Sequence, residues 1–495
     1  MHFLCFCMVI CVFSTTYAGS VELGFVENQS IHDALKVAKA AGDRTPSLTL
    51  STDTQTEEKS SDLSSFTSLT ILGQKPDGTV IRPVNTSDVL GRRAFSILSS
   101  LTFSTLALSH IKLRGFIINS ESDADFNSPS LTVSIDGPVT FRENEGYLCG
   151  AIHSKSPLSL SGIGPATFTQ NKASLGGAIY SGGSLTISCP ADFNWNSAKQ
   201  VGGAIRAESV TFSGNHPVSF TRNNSINNHG GAIYAESIDF SGTRFVTFTG
   251  NMSISGNGGA ICANALILKD AQFSENKATK GGAVFICGGS LIYTTSSLTR
   301  LNPTELPPVI GDNDLACESL LNLVSIFTKN GPSSLVLNTN NSEWNGHTVI
   351  QEGHFIVGDT IDCDGAVWGA NGANTITIKG DARMGGFGTI NANKVTFENG
   401  SVWCLFFGGD KVGKLNVQGA FTLPTGIDVK ETKEETFPTD GVIVATYGTL
   451  AGDLNFLNMQ LIDANLILES QVIDSQSKRL VLKQFCVPPT TTINS

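Results

Sequence analysis

Charge is what this sequence has least of. Lys, Arg, Asp and Glu make up 15% of its 495 residues, where a globular domain averages about 25%. Ser, Thr, Asn and 51 Gly stand in their place, a surface common to β-helices and sandwiches. Basic residues are short as well, 32 Lys and Arg against 43 acids, for a net charge of -11. Without a basic excess to neutralise phosphates, nucleic acid is excluded as a partner. The acids are spread thinly and imply solubility rather than a ligand. No apolar run beyond the N-terminus approaches 18 residues, which excludes a membrane-spanning helix. Eleven cysteines form no Cys-x-x-Cys, and His32, His110, His153, His216, His229, His347 and His354 form no His-x-x-x-His. Metal by spacing is therefore unsupported, and neither a metal nor a cofactor is expected. No Gly-x-Ser-x-Gly elbow with partners stands out. Gly408-Gly-Asp-Lys-Val-Gly413-Lys414 resembles a phosphate-binding loop, but Leu415 occupies the place of the Ser or Thr that holds magnesium.

What is present begins with an apolar run, Phe3 to Phe13, ahead of small residues at Thr16 and Ala18. Residues 1–18 are expected to be a signal peptide, although the segment before the run offers His2 and no Lys or Arg. Its removal takes Cys5, Cys7 and Cys11 and leaves Cys149, Cys189, Cys262, Cys287, Cys317, Cys363, Cys404 and Cys486. In an exported chain these can form disulfides or remain buried thiols, and the pairing is not legible.

The dominant feature is a repeat of two motifs. Phe141-x-x-Asn144 precedes Cys149-Gly-Ala-Ile152, and Phe168-x-x-Asn171 precedes Gly176-Gly177-Ala-Ile179. Phe193 and Asn196 precede Gly202-Gly203, Phe220 and Asn223 precede Gly230-Gly231, and Phe248 and Asn251 precede Gly258-Gly259. Phe273 and Asn276 precede Gly281-Gly282, followed by Ala-Val284. Phe116-Ile-Ile-Asn119 and Phe212-Ser-Gly-Asn215 read as unpaired copies of the first motif. Successive tetrapeptides lie 27, 26, 28, 28 and 23 residues apart. That period is too short for helical repeats, which run about 33 to 47 residues. The intervening segments alternate in the manner of strands, as in Ser209-Val-Thr-Phe212, Ser237-Ile-Asp-Phe240 and Ala265-Leu-Ile-Leu268. Short strands in such a coil imply an all-β fold, a right-handed parallel β-helix with each repeat as one rung. Each Phe is expected to stack on the one below. Each Asn should bond backbone groups and the next Asn. The Gly pair should supply positive φ and close backbone approach, with Gly231 taken as a positive-φ corner.

Residues 30–41 form the single good helix: Ser30 as N-cap, Ile31, Leu35 and Ala38 on one face, Gly42 as the stop. Such a helix would cap the open end of the solenoid. Residues 51–65 are polar and read as a loop. At Asn302-Pro-Thr-Glu-Leu-Pro-Pro308 the repeat ends and a boundary is expected. Beyond it, Asn374–Lys379, Lys394–Phe397, Lys414–Val417 and Leu480–Lys483 read as strands and Glu431–Glu435 as a charged loop.

The alternation of Gly-Gly-Ala-Ile with Phe-x-x-Asn resembles the polymorphic membrane proteins of chlamydiae, with the match spanning residues 116–284. The resemblance implies an exported autotransporter passenger, displayed on the outer membrane, that adheres to host cells. The chain is expected to divide into four segments: a signal peptide (1–18), a cap with irregular rungs (19–100), the motif-bearing β-helix (101–300) and a β-rich domain (301–495) that resembles the family's middle domain. Relatives end in an outer-membrane barrel. The 187 residues after 308 lack aromatic girdles, and the chain closes on Thr490-Thr-Thr-Ile-Asn-Ser495. The expectation is a passenger without a self-inserted barrel. Its partner would be a host cell-surface receptor or glycan. A second reading is a structural protein disulfide-linked to other envelope proteins. An enzymatic reading would need clustered carboxylates. Glu208 and Glu236, each six residues after the first Gly of its motif, are the one stacked pair and could hold Ca²⁺.

Overall fold

The computed structural model describes residues 30–50, 131–295, 325–370, 374–408, 411–431 and 441–454, with shorter segments at 22–24, 54–57, 61–63, 65–73, 79–83, 93–98, 105–109, 111–114, 117–121, 309–310, 315–318, 466–473 and 477–484. The signal-peptide region, the expected boundary at 302–308 and residues 432–435 lie outside them.

The chain is a parallel β-solenoid with one short helix near its N-terminus. Rungs one to six are numbered here by their motif residue, Phe141 to Phe273. Rung two shows the plan. Leu158–Ser161 belongs to the first sheet, Ala166–Thr169 to the second, Lys172–Ala173 to a third and short one, and Ile179–Ser181 to the first again. The Phe-x-x-Asn corner joins the second sheet to the third, and the Gly-Gly corner joins the third to the first. From rung four onward the two first-sheet segments run together, as Ile233–Asp239, Ile261–Lys269 and Val284–Thr294.

Alternation decides which side faces in. In Val139–Arg142 the burial runs buried, half-buried, buried, exposed, so Val139 and Phe141 enter the core and Arg142 leaves it. A slip of one residue would turn every apolar side chain outward. Register is held accordingly: Phe141 pairs with Phe168, Phe168 with Phe193, Phe193 with Phe220, Phe220 with Phe248 and Phe248 with Phe273. A single apolar cluster runs from Ile31 to Leu482.

The helix covers Ile31–Ala40, and the Ser30 hydroxyl accepts from the Asp33 N–H at 3.0 Å. Ile31, Ala34, Leu35 and Ala38 enter the core, and Gly42 follows at φ +74°. The expectation of a loop over 51–65 is corrected. Thr54–Glu57 and Ser61–Asp62 are strands, polar in composition but held by parallel pairing to Thr79–Pro83 and to Phe95 and Ser96. Past rung six the coil continues. Val284–Thr294 pairs in parallel with Leu315–Glu318 and Ile326–Asn330, and Val442–Ala451 pairs in parallel with Lys414–Thr422. There the pattern changes, because Lys478–Gln484 runs antiparallel to both Val442–Ala451 and Leu466–Val472.

Candidate functional site

The recurring residues lie inside. Phe141, Phe168, Phe193, Phe220 and Phe248 are fully buried and Phe273 nearly so. Their rings stack face to face with centroids 4.6, 4.8, 4.8, 5.0 and 4.8 Å apart. The parallel register imposes that geometry, with strands about 4.8 Å apart. Asn144, Asn171, Asn196, Asn223, Asn251 and Asn276 form a buried ladder beside them. Each amide Nδ2 donates to Oδ1 of the next Asn, at 2.8 to 3.0 Å. The same oxygen accepts the backbone N–H of the Asn below, as Asn223 Oδ1 does from Asn196 at 3.0 Å. From Asn171 onward, Nδ2 also donates to the carbonyl of the preceding rung's Phe, as from Asn223 to Phe193 at 2.9 Å. One side chain thus satisfies polar groups on two rungs in a place water cannot reach.

The Gly pair divides its two tasks. Positive φ falls on the first member: Gly176, Gly202, Gly230, Gly258 and Gly281. The second takes the close approach. The reading of Gly231 as a positive-φ corner is therefore corrected: Gly230 has φ +69°, while a Cβ on Gly231 would lie 1.9 Å from the Gly259 carbonyl oxygen. Gly177, Gly203 and Gly259 sit at equivalent points, each second in its pair, with Gly282 above them in the column.

Two apparent copies of the first motif are not in the column. Ile118 pairs with Ile152, so Ile117–Asn119 holds the register of the Ala-Ile position, and it is Leu113 that pairs with Phe141. Phe212 belongs to the first sheet, where it stacks on Phe240 at 4.4 Å and meets Phe220 edge-on. Spacing alone cannot separate a corner from a strand carrying the same letters.

The position just before each Asn was missed by sequence reasoning. Glu143, Gln170, Trp195, Arg222, Gly250 and Glu275 all have φ between +54° and +63°. This left-handed residue turns the chain between sheets, yet its N–H still bonds the next rung, as from Trp195 to the Thr221 carbonyl at 2.9 Å. Only Gly250 carried a signal, because only Gly adopts that conformation without strain. The left-handed turn also points the side chain into solvent. Gln170, Trp195, Arg222 and Glu275 are exposed. Trp195 is 55% exposed, and the Arg222 guanidinium lies 4.8 Å over its ring. Gly250 leaves a notch in this column, and around it opens a groove of about 690 Å³ lined by Trp195, Arg222, Met252, Glu275 and Lys277, with the Asn ladder as its floor. Ile226 and Ile254 are exposed directly after the strands of the adjoining short sheet, where Lys172, Lys199 and Lys277 are exposed as well.

Chemistry elsewhere is sparse. Glu208 and Glu236 stack on consecutive rungs, with the Glu236 N–H bonded to the Glu208 carbonyl at 2.9 Å, and both are exposed. Among the described residues no three His, Cys, Asp or Glu could together hold a metal. At the segment Gly408–Gly413, Phe407 pairs antiparallel with Val412 and Gly408 with Lys411, and a strand rather than a helix follows at Lys414–Thr422. Cys149, Cys189, Cys262 and Cys404 are buried, and Cys287 and Cys363 half-buried. Burial pushes the Cys189 thiol up to about 11.

A model of the Chlamydia polymorphic membrane protein repeat matches residues 165–182, 217–236 and 245–264, which hold the motif residues of rungs two, four and five. No curated protein and no solved structure matches the chain. The ladder, the ring stack and the Gly corners are the physical content of that repeat, and the chain carries the Chlamydia polymorphic membrane protein repeat at three places.

Proposed function

We propose that the chain is a non-enzymatic adhesin-type passenger that attaches to host cells through the exposed corner beside the Asn ladder. The Chlamydia polymorphic membrane protein repeat suggests a surface-exposed autotransporter passenger. The observation that carries the finer reading is the division of labour within the motif. The recurring residues are buried and engaged, so contact falls to the residues between them. Of the large apolar side chains exposed between 131 and 295, Trp195, Ile226, Met252 and Ile254 share one corner over three successive rungs. Trp and Arg are the side chains that most often anchor protein interfaces, and a contiguous apolar patch rimmed by charge marks an interaction surface. Contacts repeated along a rod add through multivalency.

The test coats beads with the full chain and measures attachment to host cells. A variant combining Trp195→Ala, Arg222→Ala and Met252→Ser should lose most attachment with an unchanged circular dichroism spectrum. Ile163→Ser, at an exposed position on another corner, should retain it. Loss of attachment after glycosidase treatment of the cells assigns a glycan partner, and survival assigns a protein receptor. Beads of folded chain that attach no better than bare beads would remove the adhesin reading.

A further inference from the structure

On the outer side of the first sheet, apart from the main core, Cys262 and Phe285 are buried together, with Tyr234 and Cys287 packed against them. Cys262 pairs in register with Tyr234 on one side and Phe285 on the other. Just beyond, the pairing of Ile261–Lys269 with Val284–Thr294 slips. Ala263 faces Ile286 but Ala265 faces Ser290, so Cys287, Gly288 and Gly289 lie opposite the single residue Asn264. The extra residues bulge outward. Gly288 takes φ +74°, and Gly289 passes so close that a Cβ would lie 1.9 Å from the Asn264 carbonyl oxygen. This bulge brings Cys287 Sγ to 3.4 Å from Cys262 Sγ.

We propose that Cys262 and Cys287 form an intramolecular disulfide that staples rung five to rung six, where the motif columns end. A disulfide needs its sulfurs about 2 Å apart, a short closure from the 3.4 Å at which the two Sγ atoms already stand. Cys287, the half-buried partner, attacks first. Its thiolate displaces one sulfur from an external disulfide, either a thiol oxidoreductase or an oxidised small thiol, and forms a mixed disulfide. Cys262 loses its proton and attacks Cys287 Sγ, expelling the second external thiol. Two cysteine thiols give up two protons and two electrons, and the external disulfide becomes two thiols. Tyr234 and Phe285 then shield the product from reductants.

The experiment isolates the full chain under oxidising conditions, alkylates it in denaturant at acidic pH, digests it and maps the unreduced peptides by mass spectrometry. The expected result is one peptide pair joining Cys262 to Cys287, two hydrogen atoms lighter than the separate peptides and split by reductant. Cys262→Ser should make Cys287 newly alkylatable, and Cys287→Ser should do the same for Cys262. Full alkylation of both cysteines in the folded wild-type chain overturns the proposal, as does finding either one joined to a different cysteine. The peptide map of the wild-type chain decides between these outcomes even where a variant misfolds.

Discussion

Residues 131–295 and residues 325–454 belong to one solenoid but hold their rungs together differently. In the first region the same residue recurs on the same point of every rung, so each Phe has a Phe neighbour and each Asn an Asn neighbour. In the second the core is a mosaic. Phe327 meets Trp344 at 77° and Trp368 at 59°, and Phe355 meets Trp368 at 74°. Its buried polar groups find varied partners: Asn341 donates to the Thr339 carbonyl at 3.0 Å within its own rung, and Asn374 to the Asn391 carbonyl on the next rung at 2.7 Å. Lys329 is fully buried, and its ammonium donates to Thr295 Oγ1 and to the carbonyls of Asn330, Gly331 and Glu352 at 2.6 to 3.1 Å. Parallel coiling therefore requires only inward alternation and register. The repeat adds a second bond system along the axis, in which any one rung has like partners above and below.

Substitutions can break this contrast, the largest effect first. Gly231→Val drives a side chain into the Gly259 carbonyl and the Met252 backbone. The expected loss is about 4 kcal/mol or outright failure to fold, read by denaturant melts. In the second region Gly365→Ala, with open space around its Cβ, should stay within about 0.5 kcal/mol.

Asn223→Ala removes the acceptor for both N–H groups of Asn196 and the donor to Phe193. A cost of about 3 kcal/mol is expected from the orphaned groups, against about 1 kcal/mol for Asn341→Ala, whose amide donates to a carbonyl two residues away rather than to a like residue on the next rung. Equal losses would erase the distinction between ladder and local bonding.

Lys329→Met should cost about 2 kcal/mol by removing the ammonium donor to the Gly331 and Glu352 carbonyls and to Thr295 Oγ1. Burial holds the Lys329 ammonium down, to about 8, whereas the unfolded chain keeps a lysine near its ordinary value of about 10.4. Between these values the unfolded state binds more protons, so the contribution of this group to stability rises with pH from about 8 to about 10.4. Wild type should gain on Lys329→Met across that window, and parallel stability curves would contradict the assignment.

Smallest of all, Glu208→Gln and Glu236→Gln, both exposed, should each change stability by less than about 0.5 kcal/mol.

How much of this was legible follows the same division. The rung period, the strands at Ser209–Phe212 and Lys394–Phe397 and the helix after Ser30 stand in the sequence, because alternation and capping leave local marks. The left-handed column could not be read, since tertiary pairing forces that conformation on Glu, Gln, Trp and Arg alike and only Gly250 betrays it. Gly231 was misread because a steric demand from the next rung looks, in one dimension, the same as a φ demand. Thr54–Glu57 was hidden because a polar segment becomes a strand only when a neighbour offers its edge. Lys329 was illegible because two of its four acceptors, Thr295 and Glu352, come from segments far apart in the chain. The exposed corner was invisible for a related reason: Trp195, Arg222 and Met252 become neighbours only when rungs stack.

The central claim is that the recurring residues are interior bonds between rungs, and hydrogen exchange tests it most directly. The Asn196 backbone N–H is bonded to Asn223 Oδ1, so it should exchange slowly in the wild-type chain. In Asn223→Ala it should exchange far faster, while amides in 325–454 keep their wild-type rates. Unchanged protection at Asn196 in a folded Asn223→Ala chain would contradict the account.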